Sequence, residues 1–232
     1  MIDFYALKLN FEEEIQPQVI DRLLESVSPD KKERLRRFYR KEDMLRGLFA
    51  DLLSRDMIRQ KTGLNNEAIS FTTNEYGKPF LKNSEDIQFN LSHSGEWVVG
   101  AIDKKQVGVD VERVQEIDLD ISRNYFSPDE HEDLMRKPDK YDYFFTLWSL
   151  KESYIKILGK GLSHPLNAFS IKFIDPEHII MKVGDKQIGD VFFRQYEVDK
   201  NYKAAVCATH EQLPDHVNLV TTEELIKKFL NN

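Results

Sequence analysis

The sequence predicts an α+β protein of two similar α+β halves, residues 1–105 and 106–232, related by a pseudo-two-fold and packed as one unit. Three observations lead there. The 232 residues are 41% hydrophobic, enough to bury one large core or two half-sized ones. Two blocks of helical periodicity are each followed by a series of short alternating segments. Landmarks of the first block recur in the second, in the same order and at a nearly constant offset.

In chain order, a strand-like run from Ile2 to Leu9 precedes helical periodicity from about Pro17 to Gln60. That block is punctuated at Ser28-Pro29-Asp30, where serine suits an N-cap and proline the first turn. Extended segments follow: 69–73, a Tyr76-Gly77-Lys78-Pro79 turn, 87–91, 97–102 and 106–112. A second helical block runs from Ser127 to Leu158, and alternation returns at 168–174, 191–198 and 203–208. A last short helix opens with the capping-box pattern Thr221-x-x-Glu224. The recurring landmarks are Ser28-Pro29-Asp30 with Ser127-Pro128-Asp129, Gly63…Phe71 with Gly161…Phe169, and the strand at Trp97 with the strand at Tyr202.

A net charge of -7 argues against a general nucleic-acid binder, which needs a basic surface. The single cysteine, Cys207, provides neither a disulfide framework nor a thiolate metal site and suits a reducing cytoplasm. The first residues lack the apolar core of a signal peptide, and no stretch has the length and apolarity of a membrane span.

In Gln106-Val-Gly-Val-Asp-Val-Glu112, strand alternation puts Val107, Val109 and Val111 on one face and Gly108, Asp110 and Glu112 on the other. Adjacent like charges are comfortable only when solvated or neutralised, so the pair is either a wet strand face or a site for a hard cation. Glu152 lies on a predicted helix whose core stripe is Leu147, Leu150, Tyr154 and Leu158, beside a second apolar edge of Trp148 and Ile155. It reads as a partly covered carboxylate or as an ordinary surface pair with Lys156.

Basic residues crowd 31–46, interleaved with Leu35, Phe38, Tyr39 and Leu45, which fits a local phosphate site or the solvated side of an amphipathic helix. Tyr76-Gly77-Lys78-Pro79 reads as a tight turn that a ligand could approach closely. Ser92, His93 and Ser94 sit at a strand end, where short polar side chains can bind an anion. No nucleophile elbow surrounds these serines, and Gly159-Lys160-Gly161 follows a helix, unlike a P-loop.

Taken together and in order, R-R-F-Y-R-K-E-D (36–43), E-Y-G-K-P (75–79), F-N-L-S-H-S-G (89–95), G-V-D-V-E (108–112), F-S-P-D-E (126–130), L-W-S-L-K-E-S-Y-I-K (147–156) and G-K-G-L-S (159–163) resemble the Sfp-type 4′-phosphopantetheinyl transferases. The resemblance implies a cytoplasmic monomer of two α+β halves with coenzyme A in the cleft between them. It implies transfer of phosphopantetheine to a serine of an apo peptidyl or acyl carrier protein, with no role for nucleic acid or membrane. By the same resemblance, Asp110, Glu112 and Glu152 hold magnesium, or manganese, and Asp110 also faces the coenzyme. Lys31, Arg34, Ser92 and His93 meet its 3′-phosphate, Gly77, Lys78 and Pro79 lie beside the adenine, and Lys151 and Lys156 stand near the pyrophosphate. Glu152 is expected as general base and Lys156 as a catalytic cation. Gly47 departs from the pattern, since a hydroxyl contact to the coenzyme expected there is missing. A non-catalytic coenzyme-binding module and a magnesium-dependent phosphohydrolase would share the same groups.

Overall fold

The computed structural model describes residues 1–175 and 177–231. Ser28 caps as its residue type implies: its Oγ accepts from the Lys31 N–H at 3.3 Å, with Pro29 in the first turn. The first half runs β1 (Asp3–Lys8), α1 (Pro17–Leu24), α2 (Pro29–Arg36), α3 (Lys41–Thr62), a hairpin of β2 (Phe71–Thr73) and β3 (Pro79–Leu81), then β4 (Gln88–Ser94) and β5 (Trp97–Asp103). The helical block has a second break, at Arg37–Arg40, where the chain turns extended before α3. At that break Gly47 of α3 faces α2: a Cβ there would stand 2.7 Å from a Leu35 methyl, so its bare backbone lets the two helices close up.

The second half repeats the order: β6 (Val107–Arg113), a single turn α4 (Ser122–Tyr125), α5 (Pro128–Arg136), α6 (Lys140–Leu158), the small sheet β7 (Ser170–Phe173), β8 (Ile179–Val183) and β9 (Lys186–Ile188), then β10 (Phe192–Tyr196) and β11 (Tyr202–Ala208). Ser127 and Glu130 form a full capping box at α5. The chain ends in β12 (Asn218–Val220) and α7 (Thr222–Leu230), whose Thr221–Glu224 box is also formed. No helix among the described residues is long and apolar enough to cross a membrane.

The sheets carry the duplication. β1 pairs antiparallel with β5 and β5 with β4, just as β6 pairs with β11 and β11 with β10. Each central pair closes on the same register, Lys8 opposite Trp97 and Arg113 opposite Tyr202. The left-handed glycine that ends α3, Gly63, has its counterpart in Gly159 at the end of α6, two residues earlier than the Gly161 that spacing suggested. The last strand and helix do not stay with residues 106–217. β12 pairs in parallel with β1, and α7 adds Leu225 and Phe229 to the first-half core.

Three cores result. Leu48, Leu52, Phe49 and Met57 of α3 pack beneath β5 in the first half, and Phe144, Leu147, Leu150 and Ile155 of α6 fill the second. Between the halves lies the third, where Phe4 and Val99 meet Val109, Val111 and Val206. The valine face of β6 is thus buried in the seam, and its Gly108–Asp110–Glu112 face turns toward α6. Gly108 is where α6 comes closest: a Cβ there would sit 1.9 Å from the Ser153 carbonyl oxygen. Because that obstacle is backbone, Gly108→Ala is expected to cost about 3 kcal/mol or abolish folding, read by soluble yield and urea unfolding.

Candidate active site

Strand β4 presents Asn90, Ser92 and Ser94 on one face, and all three bond across the seam to β6. Asn90 Oδ1 accepts from the Val109 N–H at 2.9 Å. Ser92 Oγ donates to Asp110 Oδ1 at 2.8 Å, and Ser94 Oγ donates to Glu112 Oε2 at 2.9 Å while accepting from the Arg113 N–H at 3.1 Å. Side chains thus orient both carboxylates from the other half. From α6, Lys156 Nζ reaches Asp110 Oδ1 at 2.7 Å. Lys156 therefore crosses to β6 and makes no simple surface pair with Glu152.

Asp110 is 2% exposed, and its Oδ2 is a buried acceptor with no hydrogen-bond partner among the described residues. Burial, then the Asp110 charge, pushes Glu112 up to about 7. Burial and the same Asp110 charge raise Glu152, whose carboxylate accepts no hydrogen bond from the described residues. Three carboxylates thus burden one another, with one lysine among them. The described residues do not gather three acidic or histidine groups into a ready ligand cage. What they offer a cation is hard oxygen donors, surplus negative charge and an unpartnered buried oxygen, and these fit a divalent ion such as magnesium.

The cations approach from three helices. Desolvation and the charges of Lys156, Arg46 and Lys31 lower the pKa of His93, so the charges of α6, α3 and α2 all bear on one imidazole. Burial also lowers Lys31, which is half-buried beside Asp51, while Arg34 on the same helix is exposed. Arg46 holds the β4–β5 turn through the Gly95 carbonyl at 2.8 Å.

Three residues expected at the coenzyme have side chains engaged by the protein. Ser92 is buried and spends its hydroxyl on Asp110. Lys151 is fully enclosed in the second half, where its ammonium pairs with Glu130 at 2.9 Å and donates to the carbonyls of Leu166 at 3.0 Å and Phe169 at 2.6 Å. Its side chain is committed to the interior of the second half, because α6 turns by about 100° between Lys151 and Glu152. Lys78 donates to the carbonyls of Lys156 at 2.6 Å and Ile157 at 3.1 Å, so its side chain caps α6. Gly77, at φ 85°, forms the turn, and Pro79 opens β3. Asn90 and Asn74 are polar residues of this region that the sequence left without a role. The i, i+2, i+4 spacing of Asn90, Ser92 and Ser94 was the available signal.

The duplication gives the first half a matching place with different residues. Counting back from the matched ends, Tyr5 stands in the first half where Asp110 stands in the second, Gln60 where Lys156 stands, and Asp56 where Glu152 stands. There Tyr5 OH meets Gln60 at 3.5 Å, and Asp56 is taken by Gln60 at 2.7 Å and by Lys228 of α7 at 2.6 Å. The place is filled by neutralised groups.

Comparison with known proteins divides the chain between two family models. Residues 14–105 match the N-terminal domain of 4′-phosphopantetheinyl transferases, and residues 106–207 match the 4′-phosphopantetheinyl transferase superfamily. Fold and site thus define a transferase of the phosphopantetheinyl class. A 4′-phosphopantetheinyl transferase of Bacillus subtilis is 45% identical over 208 residues, 89% of this chain and 92% of its own, and Sfp of Bacillus subtilis strain 168 is 42% identical over the same shares. A solved holo-acyl-carrier-protein synthase of Thermotoga maritima aligns with a TM-score of 0.38 at 18% identity, over 47% of this chain and 66% of its own. The chain belongs to the Sfp-type 4′-phosphopantetheinyl transferases.

Proposed function

We propose that the protein moves 4′-phosphopantetheine from coenzyme A to a serine hydroxyl of an apo peptidyl or acyl carrier protein, releasing adenosine 3′,5′-bisphosphate. The observation that carries this reading is the seam itself, where Asp110, Glu112 and Glu152 lie next to the cations that bear on His93. Lys31, Arg34 and His93 take the 3′-phosphate, and the backbone of the Gly77–Pro79 turn takes the adenine. A bound magnesium ion would be held by Asp110, Glu112 and Glu152 and would neutralise charge on the pyrophosphate. Lys156, already on Asp110, holds the pyrophosphate in line.

The carrier serine is deprotonated by Glu152, directly or through a water. Its place on α6, apart from the β6 pair, and its lack of side-chain hydrogen bonds among the described residues leave it available for that role. Beside Glu112 opens a groove of about 580 Å³ lined by Gln115, Ile117, Ile121, Phe145 and Trp148, which suits the pantetheine arm and the incoming carrier loop. One chain supplies both sides of the cleft, so the enzyme acts as a monomer.

Chromatography of the coenzyme products tests the reaction. Adenosine 3′,5′-bisphosphate is expected only when an apo carrier is present, and coenzyme breakdown without a carrier would instead indicate a phosphohydrolase. Chelation of divalent ions is expected to stop release, and magnesium or manganese to restore it. Glu152→Gln is expected to lower kcat by about 10²-fold or more at saturating magnesium; full turnover would remove its role as base.

A further inference from the structure

We propose that Asn74 and Lys78, in the β2–β3 turn of the first half, are positioning residues for the transfer, clasping the C-terminal end of α6 so that Glu152 and Lys156 meet Asp110. The inference rests on the transferase reading above. A helix leaves its last four carbonyls without partners of its own. In α6 the Gly159 N–H returns to Ile155 O at 3.0 Å, and beyond it the carbonyls of Lys156, Ile157 and Gly159 are taken by the other half of the molecule. Lys78 Nζ donates to Lys156 O at 2.6 Å and Ile157 O at 3.1 Å, and Asn74 Nδ2 donates to Gly159 O at 2.7 Å. An ammonium at this end also complements the helix dipole.

The turn that delivers these groups is itself braced. Asn74 Oδ1 accepts from the N–H groups of Tyr76 at 3.0 Å and Lys78 at 2.9 Å, and Gly77 N donates to Asn74 O at 3.0 Å. The contact is also close: a Cβ on Gly159 would stand 2.9 Å from Lys78 Cδ and 3.2 Å from Asn74 Nδ2. Farther along, the helix rests on Gly108, so it is fixed at two points along its length. Lys156 is held at both ends, its carbonyl by Lys78 and its ammonium by Asp110. A turn of one half thus sets the height and rotation of the helix on which the other half carries its carboxylate and its lysine. Catalysis by positioning is sensitive to displacements of this helix on the scale of ~1 Å.

The test compares Lys78→Met, Asn74→Ala, the double variant and Lys78→Arg in the full chain. It measures kcat and KM for coenzyme A with saturating carrier and magnesium, and amide hydrogen exchange over residues 152–159. Each loss variant is expected to lower kcat by ~tenfold or more, and in Lys78→Met, which leaves the hydrogen bonds of the turn to Asn74 Oδ1 in place, KM for coenzyme A stays within about threefold. Exchange at the α6 end should quicken, and Lys78→Arg, which can still donate to both carbonyls, should recover most of kcat. The double variant should lose less than the product of the single losses, since both residues secure one helix end. A preserved kcat with a tenfold rise in KM would make Lys78 a coenzyme contact and overturn the clasp, as would unchanged exchange. If the unmodified chain transfers nothing to any carrier, the transferase reading fails, and hydrogen exchange alone still decides whether the turn clasps the helix.

Discussion

Asp110→Asn is expected to reduce kcat by about 10³-fold with little change in melting temperature. Asn can keep the Ser92 hydrogen bond and the volume of the site, so the fold has little to lose. What disappears is the charge that bears on Glu112, Glu152 and Lys156 together. The Asp110 charge is a cause of the raised Glu112 and Glu152 pKa values and is the direct partner of Lys156. In the proposed site its removal would deprive the divalent ion of its most buried ligand, and electrostatic groups of this kind are worth ~10²–10³ in rate each. Stability is set by opposing terms: relief of repulsion with Glu112 and Glu152 against loss of the pair with Lys156, whose side chain is 25% exposed and can turn to solvent. Thermal melting beside turnover checks both parts, and a variant that is active, or inactive only because it is unfolded, would speak against the assignment.

Lys151→Met is expected to show the reverse, a large loss of stability of about 3–5 kcal/mol. Its ammonium and the Glu130 carboxylate are 0% and 2% exposed, so deleting one leaves the other buried and unpaired. Glu130 has further duties: it accepts from the Ser127 N–H at 2.8 Å in the α5 cap and from the Ile171 N–H at 2.7 Å in β7. The pair therefore ties α5, α6 and β7 into one body. Arg55 does the same work in the first half, donating to Ile69 O at 3.2 Å and Asn66 O at 3.5 Å beside its own partner Asp51. Urea unfolding measures the loss, and Lys151→Met combined with Glu130→Gln should recover part of it. The surviving folded fraction should keep its KM for coenzyme A; a raised KM with normal stability would return Lys151 to the coenzyme site.

These two residues show what could be read from the chain alone. Strand alternation was enough to put Asp110 and Glu112 on one side of β6, because the direction of a strand side chain follows from its parity. The helix starts at Ser28, Ser127 and Thr221 were legible for a similar reason, since the cap residue bonds within its own turn. Lys151 and Glu152 are neighbours on a helix buried on more than one side, and their spacing does not say which faces the other half. Ser92 was placed at a strand end but not against Asp110, because parity names a face and not the element packed upon it. The return of β12 and α7 to the first half left no local mark, being a parallel pairing across the length of the chain. Gly159 and Gly161 both have positive φ, so only the bond from the Gly159 N–H to Ile155 shows which one ends the helix.

In the proposed reaction the carboxylates of the seam and the cations facing them transfer phosphopantetheine to a carrier. Its most direct test is the intact mass of an apo carrier protein after incubation with the chain, coenzyme A and magnesium. The carrier should gain one phosphopantetheine on a serine, and should gain none when Asp110→Asn replaces the native enzyme. A carrier mass left unchanged by the native enzyme across peptidyl and acyl carriers, or modified equally well by Asp110→Asn, would contradict it.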